Sequence, residues 1–440
     1  MPGSLVALVA KSDEDKYLTG NPQITFWKSS HKRHSNFALQ RYQITRPTSR
    51  LMSTTVDFKI EHVGDLLRGL TLEITLPDIT TISSTTVSAE DKFYTDNVGC
   101  AAIDKVEFII NGQVIQTLWG DWIAAYQLLA ENFGKQYALD ELRGGDVVFN
   151  GLTNKEEGSG VGFIARIPLP FWFSRTSGCA VPLVGLKHTD VRVRTYLRPY
   201  DQLVYSPVDI RLPGAYSYGS VQLFADVVHL DREERNTFTT SPLEYLVETV
   251  QQNHRVLTAA KAQLSSTNPV PLGNLTVPTV MESVPLQLSL PTKELVWFLE
   301  PQPKSTVYCD MSENRWLQFP IGEHDLSGNF YADLIQDATL RVGGQSVFET
   351  ESADWFRLEQ PIRYHTNVPA QRIKGVYVHS FAIRPEEYQP SGTLNFSAVD
   401  KAELIISMSR PTKNYNLVVY AWGYNVLRIS NGLGGLAYSY

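Results

Sequence analysis

Few residues in this chain are spaced for chemistry. His31 and His34 enclose Lys32 and Arg33, a grouping that would suit a metal or phosphate, but no carboxylate or cysteine completes a ligand spacing. A solvated basic turn is the better reading. Cys100, Cys179 and Cys309 are too far apart for a zinc knuckle or a disulfide framework, so they read as buried reduced thiols. The carboxylate pairs Glu233-Glu234 and Glu386-Glu387 are adjacent, whereas general acid and base work needs two carboxyls facing each other across a cleft. They read as solvated. No Gly-x-Ser-x-Gly elbow, Walker lysine or His-x-His pair occurs. The run Gly432-Leu-Gly-Gly435 imitates part of a phosphate loop but leads into no helix, and it reads as a flexible tail. Asn274-Leu-Thr276 and Asn395-Phe-Ser397 match the glycosylation sequon, a motif common by chance, and are expected to stay unmodified. We expect no catalytic, cofactor-binding or metal-ligating residue, and no enzyme.

The elements that would position a site are more telling. Ile103 to Ile115 and Ile335 to Val347 share one pattern: a β-branched run, a two-residue turn (Asn111-Gly112 or Gly343-Gly344), then Gln and a second short run. Each is the signal of a tight hairpin, in which Gly112 needs positive φ. The chain reads as internally duplicated, which favours repeated binding faces over an active site.

Other strands are expected at Ile24 to Lys28, Thr54 to Ile60, Leu70 to Leu76, Phe163 to Phe173, Val191 to Tyr196 and Val221 to His229 in the first half. The second half offers Glu294 to Leu299, Gly375 to Ile383, Ala402 to Ser407 and Leu417 to Val426. Leu72 to Leu76 and Val191 to Arg194 alternate apolar and polar residues, as sandwich strands do. Gly120 to Asn132 predicts a helix after the first hairpin, and Asp354 to Leu358 a shorter equivalent after the second. Pro77 to Ala102, Glu131 to Val161 and Asn253 to Met281 read as long polar loops.

With 440 residues the chain exceeds one core, and the polar stretch after Asp231 places a boundary near residue 240. The net charge of -7 disfavours direct contact with nucleic acid. Leu5 to Ala10 makes a poor signal peptide, and no apolar run is long enough to span a bilayer, so a soluble protein kept in the cytoplasm is expected.

Specific segments then carry a resemblance. Tyr17 to Phe26 with Arg33 to Phe37, Pro168 to Phe173 with Gly178 to Leu183, Glu244 to Glu248, Pro385 to Ser397, Tyr424 to Ile429 and Gly432 to Tyr438 are similar to the ordered signature blocks of major capsid proteins of nucleocytoplasmic large DNA viruses. The resemblance implies an all-β fold of two consecutive eight-stranded antiparallel jelly rolls with short helices in loops. It divides the chain into an arm (1–23), a first jelly roll (24–240), and a second jelly roll with a C-terminal tail (241–440). It further implies a homotrimeric, pseudo-hexagonal capsomer that tiles an icosahedral shell over an internal membrane, touched only indirectly. Its partners would be neighbouring capsomers and minor capsid and penton proteins, in virions assembled in the host cytoplasm. Where the family often carries arginines, this chain has Lys32 and Ala398. A minor capsid, penton or spike subunit is one alternative. A two-domain carbohydrate-binding sandwich is another, resting on Trp119, Trp122 and Tyr126, whose helical spacing fits better with packing a helix onto a sandwich.

Overall fold

The computed structural model describes residues 3–44, 55–77, 93–95, 97–144, 163–199, 203–205, 218–258, 266–272, 275–302, 322–324, 330–369, 375–409 and 414–438. Within the expected loops, residues 78–92, 96, 145–161, 259–265 and 273–274 lie outside them, as does Cys309.

Residues Met1–Phe37 form a unit by themselves. It holds helices α1 (Gly3–Val9) and α2 (Asp13–Thr19), neither of which buries a residue. Asp15 accepts from the Ser12 backbone N–H at 3.0 Å and so fixes the start of α2. The strand expected at Ile24 to Lys28 is absent: these residues turn at Phe26 and Trp27, which are 88% and 95% exposed.

In the unit from Ala38 to Tyr440, sixteen strands account for two sandwiches. The first uses β1 (Phe37–Ile44), β2 (Thr55–Lys59), β3 (Leu66–Thr75), β4 (Ile103–Ile110), β5 (Gln113–Trp119), β6 (Ile164–Pro168), β7 (Val191–Leu197) and β8 (Ser220–Leu230). They pair as β1-β8-β3-β6 and β2-β7-β4-β5. The second uses β9 (Leu243–Leu257), β10 (Leu275–Pro285), β11 (Pro291–Gln302), β12 (Ile335–Val342), β13 (Gln345–Ser346), β14 (Tyr377–Ser380), β15 (Ala402–Ser409) and β16 (Asn414–Ser430). They pair as β9-β16-β11-β14 and β10-β15-β12-β13, the same order eight strands on. Two facing four-stranded sheets with the order 1-8-3-6 and 2-7-4-5 are a jelly roll, so the chain is a double jelly roll.

Both duplicated hairpins are present. Asn111 and Gly112 have φ of 52° and 77°, and Gly343 and Gly344 have 58° and 82°, the positive values that a twisted two-residue hairpin demands. A third turn of this kind, Asn431-Gly432, starts strand β17 (Leu433–Leu436), so the expected flexible tail is instead a strand paired with β16.

The helix after the first hairpin is α3 (Gly120–Ala130), and a second, α4 (Phe133–Arg143), follows inside the expected loop. Asn132 caps α4 by accepting from Lys135 N–H, and Gly144, at φ 83°, ends it. The far end of the other loop is also ordered, as the buried turn Val98–Ala102. The polar stretch after Asp231 is helix α5 (Arg232–Thr240), N-capped by Asp231. After the second hairpin a π-helical turn, Trp355–Glu359, runs into α6 (Gln360–Tyr364). The strand expected through Phe173 stops at Pro168, where the chain turns into the helical turn Trp172–Arg175. The polar stretch after Asn253 carries the end of β9, the strand Ser266–Leu272 and β10. Prolines there argue for a loop, but Ser266–Leu272 is an edge strand, where a missing donor is tolerated.

The two jelly rolls can be aligned residue by residue. Each third strand carries one unpaired bulge residue, Arg68 on β3 and Lys293 on β11. Each also receives a short extra strand two residues earlier, Val181–Pro182 on Leu66 and Leu67, and Leu394–Asn395 on Pro291 and Thr292. Aligning the bulges matches Thr71 with Val296, Glu73 with Phe298, Phe224 with Tyr420 and Asp226 with Trp422.

Candidate functional site

The inner faces of the aligned sheets are alike, and the outer faces differ. In the second jelly roll Leu295, Trp297, Leu299, Leu417, Val419 and Ala421 fill its own core. Their outward neighbours Val296, Phe298, Val418, Tyr420 and Trp422 belong to the core of the first jelly roll. β16 is therefore buried without a break from Leu417 to Asn425. Helix α3 makes this contact: Trp122 lies 5.3 Å from Tyr420 and 5.8 Å from Trp422, and Tyr126 lies 5.5 Å from Trp422. Trp122 is only 2% exposed, so these rings seal a joint and offer no sugar a stacking face.

Beside this apolar joint lies a buried ionic seam. Lys293, wholly buried at its bulge, places Nζ 2.6 Å from Glu248 of β9 and 3.5 Å from the centre of the Trp422 ring. Arg175, from the helical turn of the first jelly roll, donates to the other oxygen of Glu248 and to the Glu386 carbonyl, and it stacks 4.8 Å above Trp422. Burial opposes charge on Glu248, but Lys293 and Arg175 outweigh it and hold its pKa below the usual carboxylate range. Burial pushes Lys293 down to about 8. One anion between two cations replaces the water that each lost, and truncating it would strand both charges.

The seam continues through His365. Its Nε2 lies 2.6 Å from Glu294 and its Nδ1 2.9 Å from Glu386, with side-chain exposures of 1% for the histidine and 0% for Glu294. Burial disfavours the imidazolium, but the two carboxylates prevail and raise its pKa to about 9. Glu386 also accepts from the backbone and hydroxyl of Thr366, and these bonds with His365 bring its pKa below normal despite burial. Both ring nitrogens are engaged, which suits a clasp better than proton transfer. The solvated reading of Glu386-Glu387 thus holds only for Glu387, an exposed partner of Arg384 at 3.1 Å.

A second clasp lies at the C-terminal hairpin. Gly432 O accepts from Thr189 Oγ1 at 2.7 Å and from His188 N–H at 3.3 Å, and Leu436 N–H donates to Gln113 Oε1 at 3.0 Å. The third hairpin therefore ties the last strands to the first jelly roll.

The remaining sequence candidates are dispersed. His31 and His34 are exposed in the N-terminal unit. Cys100 and Cys179 are buried free thiols. Asn395 is exposed and accepts from Ser397 N–H, and Phe396 is buried as expected. An open groove of about 760 Å³ runs from Leu39 to Arg41, Arg68 and Asp226 to the edge of the seam at Arg175, Glu248 and Glu386. The residues that join the jelly rolls, Arg175, Glu248 and Glu386, all fall in or beside the signature blocks, although their types alone gave no sign of a site.

Two family models divide the chain. Residues 25–231 match "Major capsid protein N-terminus" and residues 234–435 match "Large eukaryotic DNA virus major capsid protein". The chain is 29% identical to the major capsid protein of Phaeocystis pouchetii virus and 28% identical to that of Paramecium bursaria Chlorella virus 1, each over the full length of both proteins. Among solved structures, a chain of the PBCV-1 virus capsid superposes with a TM-score of 0.74 at 25% identity, covering 94% of this chain and all of that one. The Faustovirus major capsid protein shares the fold, with a TM-score of 0.69 at 12% identity over 97% of this chain and 96% of that one.

Proposed function

The chain belongs to the major capsid proteins of large eukaryotic DNA viruses and is a structural protein of the viral capsid, and from that premise we propose that its working form is a trimer whose six jelly rolls make a nearly hexagonal tile. One observation carries this reading: two jelly rolls of identical strand order are locked into one unit by a buried joint. Three such chains, closed by a heterologous contact, give six similar units in a ring, and closure stops growth at three. The inter-chain contact should bury on the order of 2,000 Å² in total, as permanent oligomers do.

The proposed division is an arm (1–23), a first jelly roll (24–240) and a second (241–440). It is supported by strand β8 ending at Leu230 and β9 starting at Leu243. Neighbouring capsomers and minor capsid and penton proteins are the proposed partners, with the internal membrane met only indirectly, no direct contact with nucleic acid, and assembly in the host cytoplasm. We assign no catalysis to the chain. Among the described residues, the buried charged groups of the seam are paired with one another, and Arg175 of the first jelly roll ties them to the second through Glu248.

Native mass measurement of the purified protein tests the reading. A particle of three chains is expected, and a monomer at micromolar concentration would overturn it.

A further inference from the structure

The chain uses one contact internally and leaves its two halves unused elsewhere. Helix α3, which follows the first hairpin, lies on the outer face of β9-β16-β11-β14 and is buried at every residue from Gly120 to Gln127. The second jelly roll sends out a helical segment, 353–364, at the same point after its own hairpin. One side of it packs inward, where Phe356 is fully buried 5.0 Å from Trp297 and 5.4 Å from Phe348. On another side Ile362 is 67% exposed, one turn beyond the half-buried Leu358. The face that corresponds to the seat of α3 is the outer face of β1-β8-β3-β6. It is open as well: Ile164 is 41% exposed, the Arg166 side chain 49%, and Thr71 and Phe224 are half-buried.

We propose that the outer face of β1-β8-β3-β6 receives segment 353–364 of a second copy of this chain, seated as α3 is seated on β9-β16-β11-β14. This rests on the trimer reading and deepens it by naming the two surfaces that meet. Around a six-unit ring the chain alternates two steps, from its first jelly roll to its own second and from there to the next chain's first. When the steps are similar rotations, the same pair of surfaces serves both. The internal step is visible, so its surfaces identify those of the external one.

Charge permits the fit. Glu73 and Arg166 neutralise each other on the sheet at 2.9 Å, as do Asp354 and Arg357 at 2.6 Å and Glu359 and Arg363 at 3.2 Å on the segment. The external seat is more polar than the internal one, with Thr71, Glu73 and Asp226 where the internal seat has Val296, Phe298 and Trp422. That suits surfaces that must stay soluble before they meet.

The test places the photo-crosslinking amino acid p-benzoylphenylalanine at position 362 of the full-length chain. After illumination, a covalent dimer on a denaturing gel reports an inter-chain link, and peptide mapping locates it. The expected result is a three-chain particle in native mass measurement, with the link falling within residues 37–44, 66–75, 164–168 or 220–230. A three-chain particle with no dimer band, or with a link elsewhere, would overturn the docking while leaving the trimer standing. A monomer would overturn both. The substitution Ile362→Arg, at an exposed position, should weaken association by about tenfold or more, and unchanged association would also count against the proposal.

Discussion

The same four-stranded sheet occurs twice in this molecule, and only its outer face differs. At matched positions the first jelly roll has Arg68, Thr71, Glu73 and Asp226, and the second has Lys293, Val296, Phe298 and Trp422. Arg68 is exposed at its bulge, whereas Lys293 at the equivalent bulge is completely buried. The inner faces scarcely differ in kind, with Leu70, Leu72 and Ile74 in one and Leu295, Trp297 and Leu299 in the other. The fold is thus specified by turns, bulges and one apolar face, and the joint between the jelly rolls is written on the other face of the second, which is free to change without disturbing the topology.

The sharpest way to break this comparison is to truncate one matched pair. Trp422→Ala removes a ring packed on Trp122, Tyr126, Arg175 and Lys293, and should destabilise the protein by about 3–5 kcal/mol. Its counterpart, Asp226→Ala, should cost no more than about 0.5 kcal/mol in the isolated chain. Urea unfolding of both variants measures the difference, and equal losses would mean that the two outer faces are not specialised as described.

Next comes the ionic seam. Glu248→Gln leaves Lys293 and Arg175 facing each other across a neutral amide, and should cost about 3 kcal/mol at neutral pH. If the variant unfolds at the same urea concentration as the parent, the seam contributes nothing to the joint.

The sequence announced these two features unequally. The paired hairpins were legible because their turns need glycine or asparagine whatever surrounds them. The alternation in β3 and β7 was legible because one face meets water. β16 gave a strand but not its two-sided burial, since a continuous apolar run does not say what covers each side. Lys293, Glu248 and His365 were illegible as a site: these types normally sit in water, and they are buried here only because strands distant in sequence bring their opposite charges together. Helix α4 reads as loop in the sequence because it carries a glycine and many polar residues. Its cap Asn132 and terminator Gly144 were the available signals.

A smaller effect separates the seam from the rest of the joint by pH. His365 carries a folded-state pKa of about 9, above its ordinary value, so the folded protein holds this proton more tightly than the unfolded chain does. That stabilisation is complete below about pH 6.5 and declines as pH rises toward 9, at no more than about 1.4 kcal/mol per pH unit. Lys293 acts in the opposite sense, because a pKa lowered to about 8 makes the unfolded chain the tighter binder of its proton above that pH. Between pH 6.5 and 8 the histidine therefore acts with little opposition from Lys293. Unfolding free energy should fall across that interval in the parent and lose most of this slope in His365→Gln, and identical slopes would remove His365 from the seam's energetics.

The smallest effect concerns what the two jelly rolls share. Gly112 and Gly344 both sit at strongly positive φ, and a Cβ added to either would meet nothing within 4 Å. Replacing either by alanine therefore costs only backbone strain, about 1 kcal/mol. The two losses should agree, because at both glycines the added Cβ meets no neighbour and the cost is set by the turn's own backbone. A markedly larger loss at Gly344 in the assembled particle, but not in the isolated chain, would place the second hairpin itself in the inter-chain contact and move that contact away from segment 353–364. Equal losses in both states keep the hairpins as scaffolding and leave recognition to the helical segments and the sheet faces that they cover.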